Sequence, residues 1–268
     1  MDRPDWAPAD IDLERPSAAR MYDYYLGGSH NFAADRAAAA AVLAVIPDVS
    51  VGAQANRAFL RRAVRYLAAA GVRQFLDIGS GIPTLGNVHE IAQQAAADSR
   101  VVYVDIDPVA VAHSQQILAG NPNATVIQED LRRPEQILNH EVVRRLIDFS
   151  EPVAIMLVAV MHFISDSDDP TGILATLTAA TAPGSYLVMS HGTGEGRPKE
   201  AAGGTAVYQR TANPLTLRDR AEVCALFDGY DLVEPGVVWT PLWHPDSPEE
   251  VGEHPELTAI LGGVGRRP

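Results

Sequence analysis

Lysine is nearly missing. Of 21 basic residues all but Lys199 are arginine, so no lysine amine exists for a Schiff base anywhere except position 199. Clusters of basic residues are missing too. Against 34 Asp and Glu the formal net charge is -13, a field that repels a phosphate backbone, so nucleic acid is not an expected partner. A single cysteine, Cys224, excludes an internal disulfide and a Cys-rich zinc site, which makes a reducing cytoplasm the expected compartment. Cys224 itself reads as a small buried hydrophobe. The longest strongly apolar run, VAIMLVAVMHFI at 153–164, is shorter than the roughly 20 residues a bilayer requires, so no membrane span is expected. The first 16 residues, MDRPDWAPADIDLERP, are acidic and proline-rich rather than basic and then apolar; they read as a loose arm, not a secretory signal. No internal repeat and no second core is visible.

What is present is core-forming. At 47% hydrophobic residues, 268 positions suffice for one large domain, alone or with an appendage. Residues 17–70 carry a helical pattern: SAARMYDYYLGG, an alanine-rich run over 33–46, and NRAFLRRAVRYLAAAG, where Phe59, Leu60, Ala63, Val64 and Leu67 recur at helical spacing before Gly71. This predicts an N-terminal arm and helical lid over 1–70 and a core over 71–268. Beyond Gly71 short apolar runs at 74–79, 100–107, 124–130, 152–160 and 185–191 alternate with helical stretches at 85–97, 108–118, 134–138 with 142–147, and 171–180. The runs are continuously hydrophobic, as in a parallel sheet covered on both faces, so the fold class is α/β, a doubly wound sheet. After the glycine-rich HGTGEG, one more helix at 217–227 and two weak strands, near VVWTPLW and LTAILGGVG, complete the reading.

RQFLDIGSGIPTLG, 73–86, ends the first strand on a carboxylate and a bare loop. In an open parallel sheet ligands sit beyond the carboxyl ends of the strands, and the loop after the first strand is the usual contact. Gly79 and Gly81 permit positive φ and close backbone approach, which predicts a cradle of amides; Pro83 pre-sets the turn into the next helix. A dinucleotide fingerprint would need glycine at 84, where Thr84 stands. Asp77, two residues before the first glycine, would repel a pyrophosphate but would favour an ammonium or a sulfonium.

FLDIGSGIPT resembles the first motif of class I S-adenosylmethionine-dependent methyltransferases, and VVYVDIDPVAV, VIQEDLR and APGSYLVMSH resemble the later ones, in order. More closely, RPSAARMYDYYLGGSHNFAADR, NRAFLRRAVRYL and the terminal LGGVGRR resemble an actinobacterial family of proposed methyltransferases, formerly grouped as a domain of unknown function. The resemblance covers essentially the whole chain. It implies a mostly parallel, seven-stranded Rossmann-like sheet with an N-terminal helical extension, S-adenosylmethionine as cofactor, S-adenosylhomocysteine as product, and a methyl acceptor that is a small molecule.

The resemblance distributes roles along the strand ends. Asp77, Ile78, Gly79, Ser80 and Gly81 form the first contact; Asp105, with Ile106 beside it, is placed to accept both ribose hydroxyls, while Asp107, before Pro108, reads as a helix cap. Asp130 is placed to receive the adenine amino group, with Leu131 beside it. The fourth strand's end, from Val158 to His162, faces the reacting methyl group, which makes His162 a candidate base, or else a wall residue. His191 ends the fifth strand beside GTGEG and is a candidate rim residue. Asp166, Asp168 and Asp169 read as a solvated helix start, and no metal site is expected. In the lid, Tyr22, Tyr24 and Tyr25 with Asp23, Gly27 and Gly28 either pack on the sheet or close over the cofactor; Tyr22 is then a cofactor and catalytic candidate. Asn56 and Arg57 begin the last lid helix, where Arg57 either forks onto the cofactor's carboxylate or forms a surface salt bridge.

Three functions compete: methyl transfer to a small acceptor, binding of the same cofactor without chemistry, and NAD-dependent oxidoreduction, against which Thr84 and Asp77 argue.

Overall fold

The computed structural model describes residues 11–83 and 86–268. Residues 1–10 of the expected arm lie outside the described residues, as do Thr84 and Leu85, where the expected helix 85–97 begins. The described part of the arm is not loose. Ile11 is buried against Phe32, Ile82, Val109 and Ala110, because an apolar side chain in an acidic, proline-rich stretch still gains from leaving water.

Three helices open the chain: α1 (Ala18–Tyr25), α2 (Ala33–Val45) and α3 (Val49–Ala69). Five parallel strands follow, β1 (Gln74–Ile78), β2 (Arg100–Asp105), β3 (Ala124–Gln128), β4 (Ala154–Val158) and β5 (Tyr186–Gly192). Between them run α4 (Val88–Ala95), α5 (Pro108–Ile117), α6 (Pro134–Asn139), α7 (Glu141–Leu146) and α8 (Pro170–Ala180). The chain closes with α9 (Pro198–Tyr208), α10 (Arg220–Ala225), the two-residue strands β6 (Asp231–Leu232) and β7 (Val238–Trp239), and β8 (Ile260–Arg266). The sheet runs β3-β2-β1-β4-β5-β8-β6, with β7 also on β8, and β8 pairs antiparallel with β5. It is a Rossmann-like sheet of eight strands rather than the expected seven; the weak strands near VVWTPLW and LTAILGGVG are β7 and β8, and the added strand is β6, whose two residues leave no hydrophobic run to read.

Strand alternation splits the core. Leu76 and Ile78 point to one face with Val104 and Leu157, under Leu174 and Leu177 of α8. Phe75 points to the other with Tyr103, Met156 and Val188, under Phe59, Leu60, Ala63, Val64 and Leu67 of α3. Residue 77 belongs to the second row by period two, so the Asp77 carboxylate stands where a core side chain is due, beneath α3.

Two expectations are corrected here. The last lid helix starts at Val49, seven residues before Asn56, so Asn56 and Arg57 lie inside α3. The segment after HGTGEG holds α9, which the glycines hid. A Cβ at Gly204 would stand 2.7 Å from Cδ1 of Ile46, so the missing side chain lets α9 pack tightly against the end of α2.

Candidate active site

One cavity of about 270 Å³ opens over the carboxyl ends of β1 to β5 and is roofed by α1, α2, α3 and α9. Its lining includes Asp77, Ile78, Gly79, Ser80, Gly81, Asp105, Ile106, Asp130, Leu131, Val158, Tyr22 and Arg57 from the sequence reading. Gly27 and Gly28 are not part of it. A Cβ at Gly28 would overlap the Asp23 carboxylate, which instead accepts hydrogen bonds from His30 N (2.9 Å) and Asn31 Nδ2 (2.8 Å). That pair of glycines closes the loop after α1 and does not reach toward a ligand.

The loop after β1 corrects the amide cradle. Gly79 and Gly81 adopt φ of 75° and 67°, the positive values only glycine takes cheaply. Yet the amides turn inward: Gly79 N and Ser80 N donate to Val104 O at 2.7 and 3.2 Å, and Gly81 N donates to Oδ2 of Asp105 at 2.7 Å. The loop is strapped to the end of β2, and side chains rather than amides face the cavity. Among the described residues Ser80 Oγ and Arg57 Nε are buried there without a hydrogen-bond partner, an arrangement native proteins rarely leave unfilled. Arg57 Nη2 donates to Gly86 O at 3.3 Å.

The Asp77 carboxylate makes no hydrogen bond among the described residues, although its backbone is paired into the sheet on both sides. Burial pushes its carboxyl up to about 7; the nearby Arg57 guanidinium opposes this and the Asp105 charge reinforces it. Asp105 is raised to about 6, again chiefly by burial, although Asp107 N donates to its Oδ1 at 2.8 Å. Two buried acids thus share the floor with one guanidinium. A cationic group with a carboxylate of its own would fit that set of residues: Asp77 would hold the cation, and Arg57 Nε and Ser80 Oγ would hold the carboxylate.

Asp107 caps α5, accepting from Val109 N at 2.8 Å, as its place before Pro108 predicts. It also fastens the lid: its Oδ2 accepts from Ser17 Oγ and from Arg20 Nη1 (3.2 Å), while Arg20 Nε donates to the fully buried Asp35 at 2.9 Å. Asp130 sits at the rim. Burial alone would raise its carboxyl, but hydrogen bonds from Arg132 outweigh that and hold it below the usual range, with Nη2 at 2.7 Å. Its carboxylate is therefore already paired, a neighbour effect that the motif does not carry.

The two catalytic candidates are both committed to protein partners. Tyr22 OH donates to Ala53 O and accepts from Asn56 Nδ2, each at 3.0 Å, and burial raises it. Its ring lines the cavity, but its proton is held. His162 Nδ1 accepts from Gly192 N at 3.1 Å, which occupies the lone pair a base would use there. Burial, then the His191 ring and the Arg218 guanidinium, hold the imidazole well below its ordinary value. His191 is no rim residue: fully buried, it accepts from Arg218 Nη1 at 3.1 Å. In the acidic run Asp169 caps α8, accepting from Gly172 N (3.0 Å), and Asp166 accepts from Arg218 Nη2.

Sequence reading missed the network that sets β4's end. Asn56 Oδ1 accepts from Ser190 Oγ (2.6 Å), and Ser190 Oγ accepts from Ala159 N (2.9 Å). Ala159 takes φ of 57°, a strained value for alanine, and this turn swings the chain into the 3₁₀ turn that carries His162. It also missed Phe163 and Tyr208, which line the same cavity with ring centroids 5.8 Å apart; only an aromatic beside a strand end hinted at Phe163.

The family model described as S-adenosyl methyltransferase matches residues 4–268. A crystal structure of a proposed methyltransferase from Thermobifida fusca is 43% identical, with TM-score 0.92, over 98% of this chain and 99% of that one. A DUF574 family protein from Streptomyces avermitilis is likewise 43% identical, with TM-score 0.92, over 96% and 99%. An O-methyltransferase family protein from Burkholderia thailandensis shares the fold alone, at 13% identity and TM-score 0.54 over 95% of this chain and 64% of that one. No curated protein matches the chain. The strapped glycine loop, the buried acids at the ends of β1 and β2 and the whole-length family match agree, and the chain belongs to the S-adenosyl methyltransferase family.

Proposed function

We propose that this S-adenosylmethionine-dependent methyltransferase acts on a small molecule enclosed between the strand ends and the lid. When bound, the cofactor supplies an electrophilic methyl group. The chain's own residues then have three tasks: to bind, to orient and to exclude water. Asp77 and Asp105 provide the negative floor, Arg57 and Ser80 the unused donors, and Ile106, Leu131 and Val158 the apolar walls. Asp130 contributes from the rim through whatever its pairing with Arg132 leaves free.

The observation that carries the small-molecule reading is the roof. Ala18, Tyr22 and Tyr25 of α1, Ile46 after α2 and Tyr208 of α9 close over the cavity, and the lid is fastened to the core by the Arg20 and Ser17 bonds to Asp107. A roofed cavity of this size suits a small molecule better than a duplex or a folded surface. The test is to incubate the protein with methyl-labelled cofactor and, separately, the small-molecule and macromolecular fractions of a cell extract. Label is expected in the first; label confined to the second overturns the reading. Cofactor binding with no transfer to either fraction favours a binding protein without chemistry.

A further inference from the structure

The half of the cavity away from Asp77 and Asp105 has a different chemistry. Tyr25, Phe163, Tyr208, Ile46, Leu217 and Leu257 supply its walls. The Tyr25 and Tyr208 hydroxyls face each other at 3.3 Å. Among the described residues its cation is Arg197, which is held by Asp48 at 3.0 Å, with Glu200 4.0 Å away. Among the described residues no unpaired cation faces a guest there, and the acid left over, Glu200, is turned partly to solvent, so an anionic group entering this half would lose its hydration without a counter-charge.

Beside this mainly apolar space, where the two tyrosine hydroxyls pair with each other, the chain places an imidazole. A neutral imidazole has one acceptor nitrogen and one N–H. At His162 the acceptor is fixed by the backbone: Gly192 N can only donate, and it donates to Nδ1 at 3.1 Å. The ring proton is therefore on Nε2, and Nε2 has no protein partner among the described residues. Gly192, the last residue of β5, and Met161–Phe163, the turn after β4, fix the ring from two sides. Arg218, bonded to His191 and to the carbonyls of Met161 and Ile164, stands behind it and disfavours a second proton.

We infer that His162 is a fixed hydrogen-bond donor rather than a base, and that the acceptor half takes an uncharged, mainly apolar molecule presenting a carbonyl-type oxygen to Nε2–H. This rests on the reading of the cavity as a small-molecule methyl-transfer site. The oxygen anchors the guest beside the cofactor half, and the imidazole takes no proton from the group that is methylated. A substrate oxygen that must lose a proton loses it to water or before entry.

The experiment uses the full chain with 15N-labelled histidine, saturated with S-adenosylhomocysteine, and four probes of one shape: α-tetralone, tetralin, 2-aminotetralin and 1-naphthyl phosphate. NMR is expected to show a one-bond 15N–1H coupling at Nε2 of His162 and none at Nδ1, with the Nε2 proton moving downfield on adding α-tetralone and not on adding tetralin. α-Tetralone is expected to bind about fivefold more tightly than tetralin, the worth of one neutral hydrogen bond. His162→Gln, whose amide still donates, is expected to keep part of that ratio, and His162→Leu to reduce it to about one. A proton on Nδ1, equal affinity for the two neutral probes, no binding of either, or preference for the ammonium or phosphate probe overturns the inference. Calorimetry with S-adenosylhomocysteine alone separates the two failures: heat with that ligand but no tetralone preference sinks only the acceptor assignment, whereas no heat sinks the cofactor site beneath it.

Discussion

Asp77 makes cofactor binding a titration. A carboxyl raised to about 7 is about half ionised at pH 7, about a tenth at pH 6 and about nine tenths at pH 8. A cationic ligand that favours the carboxylate therefore gains roughly tenfold in affinity from pH 6 to pH 8, and it releases about half a proton on binding at pH 7. Asp105, raised to about 6, extends the slope on the acid side, and the two acids titrate as a pair. The measurement is calorimetry with S-adenosylmethionine at pH 6, 7 and 8 in two buffers of different ionisation enthalpy, on wild type and Asp77→Asn. The ligand's own amino group titrates alike in both proteins, so the difference between the two slopes belongs to Asp77. In the free chain the sign reverses. The native carboxyl holds its proton to about 7 and the unfolded one to about 3.8, so stability present below about 3.8 is lost as pH rises toward 7. Asp77→Asn, which cannot ionise, is expected to raise Tm at pH 8 and to change it little at pH 4. Parallel slopes for the two proteins, or proton uptake by wild type on binding, would refute the burial argument.

Arg20→Ala leaves Asp35 and Asp107 as buried acids without their cation, which predicts a loss of about 3–5 kcal/mol in chemical denaturation; a loss below about 1 kcal/mol would show that the lid is not held by this pair. Gly79→Ala is expected to cost more than Gly81→Ala. Both carry positive φ, worth about 1–3 kcal/mol against a side chain, but a Cβ at 79 also meets Val160 Cγ2 at 2.4 Å while one at 81 meets nothing within 4 Å; equal Tm losses would discount the contact. Asn56→Ala removes the partner of both Tyr22 OH and Ser190 Oγ, which predicts about 1–3 kcal/mol in denaturation and weaker S-adenosylhomocysteine binding in calorimetry; an unchanged affinity would detach this network from the cavity.

Much of the fold is legible in the residues because each strand from β1 to β5 is a short apolar run with both faces covered, so composition and period agree. Asp77 stands out for the same reason: an acid inside QFLDIG, where burial is dictated by its neighbours, has to be doing chemistry or holding a partner. Elements stabilised from outside themselves were not legible. α9 carries two central glycines that argue against a helix until Val45 and Ile46 of the α2 end are seen packed on them. β6, two residues long, pairs with β8 alone and has no apolar run of its own to read.

The sequence by itself determined the layered α/β architecture, the place of the ligand beyond the strand ends and the acidic character of that place, since these follow from local periodicity and from which side chains interrupt it. Only the tertiary structure decided what each group has left to give. Hydrogen bonds join residues far apart in the chain: the Gly81 amide turns to Asp105, Tyr22 to Ala53 and Asn56, and His162 Nδ1 to the Gly192 amide. A donor or acceptor can be spent once, and the sequence names the groups without saying which are already spent.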